Sequence, residues 1–145
     1  MAVPDSGQWR LLNLLAQDDL AALEAALAAA DVHVLRLDGA AIHDRGTFFA
    51  QAAHDLPYPA GRAVEADWDA LADSLWEGFL ALPGTQFALV WTDVQALLDG
   101  GLGTLLEATN GFLRFSRQLL HPSDPKLPRK MLYLFLLGTG PNFPS

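Results

Sequence analysis

Residues 32–56 read VHVLRLDGAAIHDRGTFFAQAAHDL, and one change of period inside them separates a strand from a helix. VHVLRL (32–37) alternates apolar and other side chains, which suits a half-buried strand, and Asp38-Gly39 supplies a turn. From His43 onward the apolar spacing becomes helical. A strand, a turn and a helix in succession form the first half of a βαβ unit. Two later apolar runs, FALVW (87–91) and MLYLFLL (131–137), repeat the strand signal between further helical stretches. QDDLAALEAALAAA (17–30) predicts an alanine-rich helix whose N-terminal positive end suits Asp18 and Asp19. Leu20, Leu23 and Leu27 give that helix one apolar face. A shorter helix is expected around QWRLLNLL, with Ser6 as its cap.

Further helices are predicted over about 67–80, from TDVQALL to the stop at Asp99-Gly100-Gly101, and over LGTLLEATNGFLRFSRQLL to Leu120. LPYPAGRA (56–63) and HPSDPKLPRK (121–130) read as loops. The expected fold class is therefore α/β: a small parallel sheet of three strands, near 32–37, 86–91 and 131–137, packed by helices. The 17–30 helix stands as an addition to that core. No internal repeat or low-complexity segment occurs.

The chain has 145 residues, half of them apolar, enough for one domain with a sizeable core. A net charge of -8 opposes a nucleic-acid binder, which needs a basic face, and suits a basic partner. With no cysteine there is no disulfide, thiolate metal site or cysteine nucleophile. MAVPDSGQWR lacks the pattern of a signal peptide, and MLYLFLL is too short to span a bilayer. A soluble, cytoplasmic protein is expected, with no membrane partner.

Motifs for catalysis are sparse. None of the five serines lies in a GxSxG elbow. His33, His43, His54 and His121 show neither i,i+4 pairing nor HExxH, so they read as surface or half-buried residues rather than metal ligands. DGGLGT (99–104) lacks the GK[ST] ending of a phosphate loop and reads as a helix-to-helix turn. No cofactor is implied.

The local anomaly is EADWDALADSLWEG (65–78), where Glu65, Asp69, Asp73 and Glu77 recur every four residues with no Lys or Arg among them. Like charges at i,i+4 cost a few tenths of a kcal/mol per pair. Four readings stand side by side. The carboxylates could be an acid/base pair, although such pairs usually come from separate elements. They could ligate a hard cation, which normally takes six or more oxygens. They could form a solvated helix face with Asp67 as N-cap. They could also be a docking surface for a cationic protein. Trp68, Ala72 and Trp76 border the acidic arc, and an aromatic beside acid suits an interface anchor. Trp68 and Trp76 equally suit the core, because Leu71, Leu75 and Phe79 share their side.

DWDALADSL resembles the signature helix of the barstar family, intracellular inhibitors of barnase-type ribonucleases. LDGAAIHDRGTFFAQAAHDLP is similar to that family's first strand, turn and helix. FALVWTDVQAL, with Trp91 at the family's tryptophan, and MLYLFLLG resemble its later strands. The resemblance spans roughly residues 32–138. It divides the chain into an N-terminal helical extension (1–31) and a barstar-like α/β domain (32–145), in one compact unit.

The resemblance implies an inhibitor or immunity protein whose acidic helix plugs the active site of a cognate, basic ribonuclease, such as a secreted toxin. Asp73 matches the family's dominant aspartate and Asp69 the supporting one; Glu77 extends the stripe. Trp68 and Ala72 take flanking contact positions, where the family often has leucine and tryptophan. Tyr58 stands for the tyrosine of the preceding loop. Glu65-Ala66-Asp67 replaces the family's Gly-x-Asn, and the loop is a few residues longer. A family glutamate falls near Gly103, with Glu107 one turn on as its substitute. The resemblance implies no catalysis. An adaptor binding another basic protein and a carboxylate-dependent hydrolase are the alternative readings.

Overall fold

The computed structural model describes residues 6–144. Four strands, β1 (Leu12–Ala16), β2 (His33–Leu37), β3 (Gln86–Trp91) and β4 (Met131–Gly138), alternate with five helices. The helices are α1 (Leu20–Ala29), α2 (Arg45–Asp55), α3 (Trp68–Ala81), α4 (Gln95–Gly100) and α5 (Leu102–Leu120). The sheet runs β1-β4-β3-β2 with every neighbouring pair parallel.

The central strands explain their own sequences. A strand covered on both faces can be apolar throughout rather than alternating, and β3 is buried from Phe87 to Trp91. Alternate side chains then feed two cores. Phe87, Leu89 and Trp91 join Leu132, Leu134 and Leu136 beneath α2, α3 and α5. Ala88, Val90, Phe135 and Leu137 face the opposite way, against Leu23 and Leu27 of α1, Leu15 and Trp9.

The sheet has four strands, not the three expected. The extra one comes from QWRLLNLL, which was expected to be helical. Only a 3₁₀ turn at Ser6–Gln8 precedes it, and LNLLA forms β1 at the sheet edge, with Leu12 opposite Leu134 and Ala16 opposite Gly138. A five-residue apolar run carries no decisive period, so the partner strand decides its state. The proposed cap at Ser6 rests on a side chain outside the described residues.

The remaining elements follow the sequence closely. Asp44 and Thr47 form a reciprocal capping box at the start of α2, and Asp67 caps α3 by accepting from Ala70 N at 3.1 Å. That cap places Glu65 in the preceding loop rather than on the helix, so the helical stripe has three carboxylates. DGGLGT is a helix-to-helix turn, with Gly101 joining α4 to α5. His33, His43, His54 and His121 are all exposed.

Candidate functional site

Helix α3 buries Leu71, Ser74, Leu75 and Phe79, which turns Asp69, Asp73 and Glu77 to solvent on the opposite side. Among the described residues, neither the Asp69 nor the Asp73 carboxylate makes a hydrogen bond or an ion pair. Glu77 differs, because the fold brings it a cation from the preceding loop. Arg62 donates to its carboxylate at 2.7 Å and to Ser74 Oγ at 3.2 Å. No basic residue occurs within 65–78; Arg62 stands just upstream, and its pairing with Glu77 across fifteen positions is visible only in three dimensions.

The loop carrying Arg62 lies tight on the helix. A Cβ on Gly78 would come within 1.6 Å of the Pro57 carbonyl oxygen, so only glycine allows that approach. Tyr58, expected at the docking surface, donates its hydroxyl to the Ala63 carbonyl at 2.7 Å, closing the loop on itself. It is half-buried against the larger core.

Trp68 is half-buried and enclosed by rings. It stacks on Phe48 at 6.1 Å between centroids and meets Phe112 edge-on at 5.3 Å. Its indole lies so close to Gly111 of α5 that a Cβ there would fall 2.1 Å from Cε2. Ala72 is half-buried beside it, in the furrow between α3 and α5. The structure therefore brings Asp69, Asp73, Trp68 and Ala72 together on one side of α3, with Tyr58 and the paired Glu77 on the loop side.

Both ends of α3 are fixed by residues outside the helix. Arg45 Nη1 donates to the Ala66 carbonyl at 2.6 Å while Nε bonds Glu107 at 3.0 Å. The same guanidinium lies 4.9 Å from the Phe49 centroid. Glu107, the proposed stand-in for the glutamate missing at Gly103, is thus engaged within the chain. At the other end, buried Lys130 donates from Nζ to the carbonyls of Phe79 at 2.8 Å and Leu82 at 2.7 Å. Burial lowers its pKa below the usual lysine value, and its charge sits at the negative end of the helix. Lys130 read as an ordinary loop lysine; no sequence signal set it apart. Among the described residues no three His, Asp or Glu side chains converge as a metal site.

The barstar family, described as barnase inhibitors, matches residues 32–117. The chain belongs to the barstar family. The match contains β2 through most of α5 and the whole of α3, and it leaves β1, α1 and β4 outside. No curated protein sequence matches the chain. In the structure of Drosophila ORC bound to AT-rich DNA and Cdc6, one chain overlaps 92% of this protein at 16% identity and a TM-score of 0.44. This protein spans 40% of that chain, and a likeness so slight carries no functional argument. Among the described residues, no helix is long and apolar enough to cross a membrane.

Proposed function

We propose that this protein is a cytoplasmic inhibitor, or immunity protein, that blocks the active site of a cognate basic ribonuclease with α3. The observation that carries this reading is the pair Asp69 and Asp73: two exposed carboxylates one turn apart, without partners, on a helix held at both ends. A ribonuclease must bind a phosphodiester, so its cleft holds fixed positive charge. Carboxylates on a rigid helix mimic phosphates there and accept charge-assisted hydrogen bonds. Because the helix is ordered beforehand, little entropy is lost on docking. The net charge of -8 steers encounter with a cationic enzyme. The inhibitor contributes no chemistry of its own. Ala72, Gly103 and the longer loop before α3 depart from the family pattern, so the candidate ribonucleases extend beyond barnase.

The test is Asp73→Ala against a panel of barnase-type ribonucleases, with folding and binding measured separately. Asp73 is exposed and unpaired, so its loss leaves stability unchanged within about 0.5 kcal/mol. A charge-assisted hydrogen bond contributes about 1.5–3 kcal/mol, so binding weakens roughly ten- to a hundredfold. Association of the native chain slows as salt rises. Equal binding by the variant and the native chain would reduce the stripe to a solvated face.

A further inference from the structure

The two edges of the sheet are built differently. The β2 edge carries the exposed His33 and Arg36, the latter paired with Glu24 of α1. Charged side chains on an edge strand guard it against pairing with another chain. The β1 edge has no such guard: LNLLA contains no charge, proline or glycine. The Leu11 carbonyl accepts from Leu134 N, so by alternation along a parallel ladder Asn13 and Leu15 continue the pairing with β4. Leu12, Leu14 and Ala16 therefore turn their N–H and C=O groups outward. Leu14 is 48% exposed and shares a face with Leu12, the face that α5 covers. Helix α5 lies over β4, with α3 against its Gly111 side. Leu102 and Leu106 sit roughly half a turn from Gly111, on the β1 side of α5, and are 49% and 61% exposed. Three of the four large apolar side chains exposed among the described residues thus lie along one border of the molecule; the fourth is Val64.

We infer that β1 is a self-association surface: it pairs antiparallel with β1 of a second copy of this chain about a two-fold axis at Leu14, joining the two sheets. The sequence is complementary to itself in that register. Leu14 meets Leu14 of the second copy, Leu12 meets Ala16 and Asn13 meets Leu15. The outward groups of Leu12, Leu14 and Ala16 then form hydrogen-bonded pairs. Just beyond the strand, Arg10 meets Asp18. Both are exposed, and among the described residues neither side chain makes an ion pair. The two-fold axis repeats that pair, so opposite charges flank the junction despite the net charge of -8. Shifting the register by two residues either way sets Arg10 against Ala16 or Leu20 and shortens the pairing. The axis is perpendicular to the sheet, so like faces stay together and Leu102 and Leu106 of both copies flank the Leu14 pair. The two β4 strands then stand three strand spacings apart, about 14 Å, and these leucines fill the furrow between the two α5 helices. Helix α3 lies on the other side of α5, so each copy keeps Asp69 and Asp73 open. β1 lies outside the residues that match the family, and the inference is independent of the docking function proposed above.

Sedimentation velocity of the full chain over a concentration series should show a reversible equilibrium between one copy and two. Leu14→Lys sets two ammonium groups against each other at the axis and should raise the dissociation constant at least roughly tenfold. Arg10→Glu and Asp18→Lys should each weaken the pair, and the double variant should restore it. These two positions are exposed, so the charge reversals stay informative if Leu14→Lys folds poorly. The chain has no cysteine, so Leu14→Cys introduces a single thiol. Opposite residues of an antiparallel pair have Cα atoms about 5.5 Å apart, within disulfide range. Ala16→Cys would instead hold its two thiols about 13 Å apart. Oxidation should therefore link two copies of Leu14→Cys and leave Ala16→Cys unlinked. A chain that stays monomeric at every concentration would overturn the inference, as would self-association untouched by Leu14→Lys and both charge reversals. Equal cross-linking of the two cysteine variants, or a double variant no tighter than the single ones, would overturn it too.

Discussion

Gly111→Ala sets two effects of opposite sign against each other within α5. Alanine is better than glycine in a helix interior by about 1 kcal/mol, which alone predicts stabilisation. Yet the added Cβ would lie 2.1, 2.2 and 2.7 Å from three atoms of the Trp68 indole, where ordinary contact begins at 3.4 Å. The ring would have to retreat by over about 1 Å, and Phe48, Phe49 and Phe112 block its movement into the core. Overpacking costs about 1–3 kcal/mol, sometimes more, and a disrupted aromatic pair adds about 0.5–1.5 kcal/mol. Packing therefore wins, with a net loss of about 1–3 kcal/mol. At roughly 4 °C per kcal/mol for a chain of this size, Tm falls by roughly 4–12 °C. Gly103→Ala is the internal control, because nothing lies within 4 Å of its added Cβ. It should gain about 0.5 kcal/mol, or roughly 2 °C. Calorimetry of both variants decides the matter: a rise in Tm for Gly111→Ala like that of Gly103→Ala would refute the packing argument.

Three further outcomes are expected. For Asp55, burial alone would raise the pKa, but hydrogen bonds from Asp38 N, Gln51 and His54 outweigh it and leave the carboxyl below its usual 3.8. Its stabilising contribution is then complete above 3.8 and lost as pH falls through the lower native value, so Asp55→Asn should flatten the loss of urea resistance below about pH 4; parallel acid limbs would exclude this role. Lys130→Met should cost about 1–2 kcal/mol in chemical denaturation, because the Leu82 carbonyl loses its side-chain donor and the Phe79 carbonyl keeps only Leu82 N, while the relief of one buried charge offsets part of the loss; an unchanged midpoint would show that the cap contributes nothing net. Removing residues 1–30 exposes Ala88, Val90, Phe135 and Leu137, each fully buried beneath the N-terminal segment. At about 1.5–3 kcal/mol for each large side chain, the loss approaches the whole stability of a typical domain, about 5–15 kcal/mol. The truncated chain should therefore show no cooperative unfolding transition, and a cooperative one would contradict this assignment.

Most of the fold was legible because its elements carry local signals. The helical spacing from His43 located α2, Asp67 caps α3 as expected, and α5 matches the stretch expected for it, Leu102–Leu120. The strand β1 was not legible, because LNLLA satisfies either period over so few residues and only pairing with β4 selects extension. The site divided in the same way. Asp69 and Asp73 stood out because charge spacing on a helix is a local property. Arg62 beside Glu77, Glu107 beside Arg45 and Lys130 beneath Phe79 are separated by fifteen, sixty-two and fifty-one positions. Nothing in their neighbouring residues encodes those contacts. Trp68 was ambiguous between anchor and core for the same reason: its seat depends on the absence of a side chain at Gly111.

On the function proposed above, the two faces of the sheet separate stability from recognition. Helix α1 covers one face through Leu23 and Leu27, and α3 lies over the other, so the sheet stands between the N-terminal segment and the acidic carboxylates. β1 adds at the β4 edge, while β2 forms the opposite edge and leads into α2. A partner seated on Asp69 and Asp73 thus approaches the face that residues 6–31 do not cover. On that proposal, the N-terminal segment would bear on docking through the stability of the sheet that supports α3. On the proposed docking face, the helix is held by groups that leave its two central acids without hydrogen bonds: Asp67 and Arg45 at the start, Arg62 along one flank, Lys130 at the end. Each of these cations is committed to a carbonyl, a hydroxyl, Glu77 or Glu107. The fold therefore uses positive charge to hold the helix without neutralising Asp69 or Asp73, and that arrangement is what a cationic partner requires.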